Sequence, residues 1–144
     1  MFSKTCEYGI RAAIFIAFQS YQDNRIGLKE IAKKIDSPEA FTAKILQILS
    51  RDNIIKSIKG VGGGFEISKE NMKEITLAQI VNSLDGNRIL TGCALGLSNC
   101  SEDHPCPMHD KFISIRNDLV FTLENTNLEE LALGIKSGDT FLRY

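Results

Sequence analysis

Between Ile54 and Ser68 the chain turns from isoleucine-rich to glycine-rich and back to apolar, and this stretch narrows the possible folds sharply. Ile54–Ile58 alternates and is rich in isoleucine, which predicts a strand, and Phe65–Ser68 predicts a second. The intervening Lys59-Gly60-Val61-Gly62-Gly63-Gly64 suits neither helix nor strand and predicts the tip of a β-hairpin. A phosphate-binding loop is the competing use of such glycines. It needs a Lys-Ser/Thr pair entering a helix, whereas Phe65-Glu66 here enters a strand.

Helical spacing precedes the hairpin. Leu28, Ile31, Ala32 and Ile35 share one face of a short helix over Leu28–Ile35. Asp36-Ser37-Pro38-Glu39 is a strong helix start: Ser37 can cap, Pro38 suits the first turn and Glu39 the positive end. The helix it opens runs to about Asp52, with Phe41, Ile45, Ile48 and Leu49 toward the core. Two helices joined by so short a turn form a helix-turn-helix, and the hairpin behind them completes a winged-helix layout.

Further helices are predicted over residues 4–19, over Thr76–Leu84 with Thr76 as cap, over Asp110–Glu124, and in a short segment capped by Asn127. The tail from Lys136 is expected to be loosely ordered. Phe112, Ile113, Ile115, Leu119, Val120 and Leu123 make a wide apolar stripe for a helix at the edge of a small domain, and a second copy of the chain would bury it. The expected fold is thus mainly α with a small β-hairpin. A winged helix-turn-helix domain spans 1–86, a cysteine-bearing loop 87–109, and a long C-terminal dimerisation helix with its tail 110–144.

Three cysteines and a histidine fall in that loop with the spacing Cys93-x6-Cys100-x5-Cys106-x2-His109. The residues between them are too rich in Gly, Ser, Asn and Pro for a regular element, so a bound metal is the natural source of order. Thiolate and imidazole suit zinc or an iron–sulfur cluster and suit magnesium or calcium poorly. A structural zinc site accepts this donor set. Its ligands, however, usually come in pairs two to four residues apart, and the wider gaps here suit a cluster better. His109 is placed to begin the long helix, its ring reaching back toward the cysteines. Cys6 stands alone and is expected in the core.

Composition bounds the partners. Hydrophobic and charged fractions of 43% and 24% are those of an ordinary soluble domain. Residues 1–68 carry ten Lys+Arg against seven Asp+Glu, and residues 69–144 seven against eleven, so the first half is the one suited to nucleic acid. No run approaches the roughly 18 apolar residues that cross a bilayer. The apolar Ala12–Phe18 is too short for a secretory signal and lacks a cleavage site, which predicts a cytoplasmic chain and no membrane partner. No nucleophile–base pair or nucleotide loop points to an enzyme. The candidate DNA-contacting set is Ser37, Glu39, Ala40, Phe41, Thr42, Ala43 and Lys44 on the second helix and its entry, with Lys59, Gly60 and Gly62 on the wing.

The segments SKTCEYGIRA, SPEAFTAKILQIL, KGVGGGFEIS, TLAQIVNSLDG and the Cys loop ending in CPMH resemble the IscR/NsrR-type (Rrf) family of bacterial winged-helix iron–sulfur transcription regulators, over nearly the whole chain. The resemblance implies a homodimer with crossed long helices and a [2Fe-2S] or [4Fe-4S] cluster on Cys93, Cys100 and Cys106. Some members take a fourth ligand just after the last cysteine, here His109. Others use a carboxylate near the amino terminus of the partner subunit, where Glu7 falls. The first gap here is six residues where the family pattern has five, and both choices stay open. The expected function is a DNA-binding regulator, a repressor in the first instance, whose affinity follows cluster status, redox state or nitric oxide. The alternatives are a winged-helix regulator with structural zinc, or a cluster carrier or electron-transfer protein that binds no DNA.

Overall fold

In the computed structural model, which describes residues 1–143, the chain is assembled around its first helix, α1 (Lys4–Tyr21). Ser3 caps it, accepting a hydrogen bond from the Cys6 N–H at 3.1 Å, and both the backbone N–H and the hydroxyl of Ser3 donate to the Asp85 carboxylate. Ala12, Ala13, Ile16 and Ala17 are buried, small enough in the main for several helices to pack closely on α1. Gly9 takes this furthest: a Cβ there would lie 2.1 Å from the Leu84 side chain, so the crossing with α5 (Leu77–Asp85) admits no larger residue without repacking.

The helix-turn-helix and wing form as predicted. α2 (Leu28–Ile35) is followed by α3 (Glu39–Arg51), and β1 (Lys56–Ile58) pairs antiparallel with β2 (Gly64–Glu66) in the register Lys56↔Glu66, Ser57↔Phe65, Ile58↔Gly64. Ile31, Ile35, Ile45, Leu46 and Leu49 fill the space between α2, α3 and α1. Asp36 closes α2 in the left-handed region at φ 55°. The N-cap of α3 is Pro38, not Ser37. Proline's extended backbone at φ −55°, ψ 136° delays the helix to Glu39, and the Pro38 carbonyl accepts from both the backbone and the hydroxyl of Thr42. The Ser37 hydroxyl is buried without a hydrogen-bond partner.

Two short helices go unpredicted, α4 (Lys69–Glu74) and α6 (Arg88–Thr91). α4 has a single apolar residue, Met72, and so no periodicity to detect, yet Met72 is fully buried. α5 begins at Thr76 with a reciprocal capping box to Gln79. α7 (His109–Glu124) packs on α5 and α6, and α8 (Leu128–Ser137) returns to pack along α1 and α4. Leu128 and Ala132 belong to the main core, α8 ends in an ordered left-handed cap at Gly138, and Leu142 packs against the same core. No helix among the described residues is long and apolar enough to cross a membrane.

Candidate metal centre and nucleic-acid interface

α3 offers one stripe to solvent. Glu39, Ala40, Lys44, Gln47 and Arg51 are exposed and Ala43 is half-buried; positions 40, 44, 47 and 51 follow the helical repeat. Three predicted contacts lie inside instead. Thr42 is 0% exposed and back-bonded to Pro38, Phe41 packs edge-on to the Tyr8 ring with centroids 5.7 Å apart, and Ser37 turns its hydroxyl inward. Burying Thr42 follows from its spacing to Ile45, Leu46 and Leu49, which share its side of the helix. Gln47 was missed, although its spacing from Ala40 and Lys44 places it on the same stripe. It carries both a donor and an acceptor, the pattern that reads adenine in the major groove.

The wing is fixed from outside the hairpin. Arg25 donates to Glu66 at 3.0 Å and to the Gly62 carbonyl at 2.9 Å, joining the base of the wing to its tip. Gly60 and Gly62 adopt φ 89° and 73°, which favour glycine, and stand exposed with Lys59 and Val61. Lys29, Lys33 and Lys34 on α2 and Lys56 on β1 are also exposed. Arg11 lies over the Tyr8 ring and donates to the Ile35 carbonyl at 3.1 Å, tying α1 to the end of α2.

The second site is a pocket of about 930 Å³ at the root of α7, lined by Cys93, Cys100, Cys106 and His109. The residues before α7 carry no regular element; short turns such as Gly96 N–H to Cys93 O and His109 N–H to Cys106 O hold them. The donors meet in two pairs. Cys93 Sγ lies 3.7 Å from Cys106 Sγ, and Cys100 Sγ lies 3.5 Å from His109 Nδ1. Two sulfurs on one tetrahedral ion at about 2.3 Å stand about 3.8 Å apart, and a sulfur and a nitrogen about 3.5 Å, so each pair has the spacing of two ligands on one metal. Among the described residues no three such donors converge as a set for one ion.

Hydrogen bonds converge on two of the four donors. Backbone hydrogen bonds from Leu97 and Leu95, helped by the Cys106 thiol, hold the Cys93 thiol below its ordinary range. Arg116, also missed, donates through one Nη to Cys100 Sγ at 3.1 Å and to the Gly92 carbonyl at 3.0 Å. Two turns separate it from His109 on α7, the one sequence signal that it faces the loop. Cys6 is fully buried, and burial, then Asp85, pushes its thiol up to about 12. Glu7 pairs with Lys4 at 3.0 Å, a contact that lowers its pKa, and does not line the pocket of its own chain.

A helix-turn-helix followed by a clamped hairpin, with a cysteine pocket at the root of a long helix, is a winged-helix architecture. The chain belongs to the Rrf2 family of iron-dependent transcriptional regulators, whose profile matches residues 2–133. A protein of Aquifex aeolicus named as an HTH-type transcriptional regulator is 31% identical over 133 residues, 91% of this chain and 90% of that one. Among solved structures, CymR of B. subtilis, described as the global cysteine regulator, superposes with a TM-score of 0.73 at 25% identity, covering 92% of this chain and 96% of its own. IscR of T. potens shares the fold with a TM-score of 0.73 at 16% identity, covering 98% and 92%.

Proposed function

We propose that this chain is a homodimeric, cytoplasmic DNA-binding repressor whose operator affinity is set by an iron–sulfur cluster on Cys93, Cys100, Cys106 and His109. The observation that carries it is the pairing of the four donors at single-metal spacing, with no third donor converging on either pair among the described residues. A two-iron centre takes two protein ligands on each iron, which Cys93 with Cys106 and Cys100 with His109 would supply. One zinc ion needs all four around a single point, and a four-iron centre needs them spread one to an iron. The donor set therefore fits a [2Fe-2S] group best, with His109 rather than Glu7 as fourth ligand. Such a group supplies iron that changes oxidation state and that oxidants, nitric oxide or iron shortage alter or remove.

The chain's own residues do the rest. His109 and Arg116 join the loop to α7, α7 rests on α5, and α5 rests on α3. Phe112 and Ile115, neighbours on one face of α7, stay 41% and 59% exposed, so a second copy packing there places two reading helices at a fixed separation. On each helix Ala40, Ala43 and Gln47 face base edges, while Lys44, Lys59 and the Gly60–Gly62 backbone meet phosphate. Reordering the loop changes that separation, and every base edge that goes unread weakens binding by about 1–3 kcal/mol.

Cys93 beside Cys106, together with the likeness to a cysteine regulator, favours one second reading: a thiol-based regulator without a cluster. An absorption spectrum of protein purified without oxygen, with iron, sulfide and zinc assayed on the same sample, separates them. A coloured protein with matched iron and sulfide, and different DNA affinities before and after their removal, is expected. A colourless protein holding zinc, or holding no metal, sinks the cluster.

A further inference from the structure

Arg116 lines the pocket and contacts the cysteine loop directly. It is half-buried on α7, and one Nη donates to a sulfur and to a backbone carbonyl at the same time. The sulfur is that of Cys100, which already faces His109 at 3.5 Å. The carbonyl is that of Gly92, the residue before Cys93. Arg116 thus touches one member of one ligand pair and the neighbour of a member of the other. The second guanidinium on the pocket wall, Arg88, stands over Gly96 instead: a Cβ on that glycine would lie 3.3 Å from its Nη2.

We infer that Arg116 is a positioning residue of the cysteine site, holding the Cys100 sulfur and the Gly92 turn against α7 and tuning the electron affinity of the metal that Cys100 holds. The inference rests on the cluster proposed above. A sulfur bound to iron remains a hydrogen-bond acceptor, and a donor aimed at it draws electron density away from the metal. Here the donor is also a full positive charge. Both effects stabilise the reduced centre more than the oxidised one, so Arg116 raises the reduction potential. Both bonds leave one nitrogen of a rigid planar group, whose direction a lysine ammonium on its flexible stem does not reproduce.

The experiment compares the full-length protein with its Arg116→Gln and Arg116→Lys variants, each loaded with iron and sulfide without oxygen. Iron content, visible circular dichroism and the midpoint potential are measured on each. The wild type is expected to have the highest potential, Arg116→Lys an intermediate one and Arg116→Gln the lowest, with an altered visible spectrum in both variants. A merely structural residue changes the amount of iron retained but leaves the potential and the spectrum of the retained fraction where they were, and that result overturns the inference. If Arg116→Gln retains too little iron to titrate, the lysine variant decides, since an unchanged potential there overturns the inference equally. A wild type that takes up neither iron nor sulfide overturns the cluster proposal and this inference with it. A loaded wild type whose potential is indifferent to residue 116 overturns this inference alone.

Discussion

In α3, Ile45, Leu46 and Leu49 are fully buried, and the wing beside it is clamped by Arg25; between Gly92 and α7, Leu95 and Leu97 stand 52% and 55% exposed and no regular element forms. The first region draws its order from apolar burial, which requires nothing but the chain itself. The second draws it from a few turns, the grip of Arg116 and whatever Cys93, Cys100, Cys106 and His109 bind. Removing a ligand should therefore change one region and spare the other. A sensor needs that division, because a reading head that melted with its signal would leave nothing to regulate.

The largest expected effect breaks the second region alone. Cys106→Ala removes half of one donor pair. It should cost more metal affinity than the roughly 10–100-fold typical of losing an outer-shell partner. Iron and sulfide per chain should collapse, while far-ultraviolet circular dichroism and the urea midpoint of the helical core stay near wild type. A variant that keeps its iron, or one whose core melts, contradicts the division.

The converse substitution is Leu49→Ala. It empties a fully buried position between α3 and α1 and should destabilise the fold by about 2–5 kcal/mol in urea unfolding. Because the core does not depend on the metal, chelating iron should leave that difference unchanged. A loss that appears only after chelation would mean that the two regions fold as one.

Within the reading head, the stripe can be sharpened residue by residue. Gln47→Ala should weaken binding by about 1–3 kcal/mol and relax preference at a single base pair. Lys44→Ala should weaken binding to all duplexes and reduce the salt dependence by about one phosphate contact. Thr42→Val keeps the shape of a buried side chain and loses the hydrogen bond to Pro38. It should cost about 1 kcal/mol of stability and leave base preference intact. Competition binding with a panel of single-base operator variants separates the three, and altered base preference in Thr42→Val would put that residue back on the reading face.

The same contrast explains what could be read in the sequence. Where periodic burial makes an element, as in α2, α3 and α5, the pattern of isoleucine and leucine placed it within a few residues. The Thr76 and Asn127 caps were legible because a cap is a local hydrogen bond. Ser37 loses the cap because Pro38 takes that position, whereas the burial of Thr42 was legible in its spacing to Ile45, Leu46 and Leu49. α4 was invisible because a six-residue helix with one apolar side chain has no period. The four donors could be named from their spacing, but not their pairing, since Cys93 meets Cys106 across thirteen residues of irregular chain. Arg116 and Arg25 were hidden for a related reason: each acts on groups more than ten residues away, in the loop in one case and the wing in the other.

The smallest effect joins the two regions at Cys6, which packs with Val81 and Leu123 where α1, α5 and α7 meet. In the folded chain burial pushes its thiol up to about 12, against an ordinary value near 9, so the proton is held more tightly folded than unfolded. Below the unfolded value both states are protonated and pH has no leverage through this group. Above it the unfolded chain ionises first, and stability falls as pH rises toward about 12, by at most about 1.4 kcal/mol for each unit. Urea unfolding of metal-free protein at pH 8, 9 and 10 should show the decline setting in above pH 9. Cys6→Ala should remove that part of the slope while lowering stability at pH 8, because the space filled by the sulfur is left empty. An identical slope in the variant would mean that other groups govern the alkaline limit and that Cys6 is reached by solvent at the junction. In that case α7 would be less firmly seated on α1 and α5 than the buried Cys6–Leu123 cluster indicates, and the link from the cysteine pocket to the reading helix would be correspondingly looser.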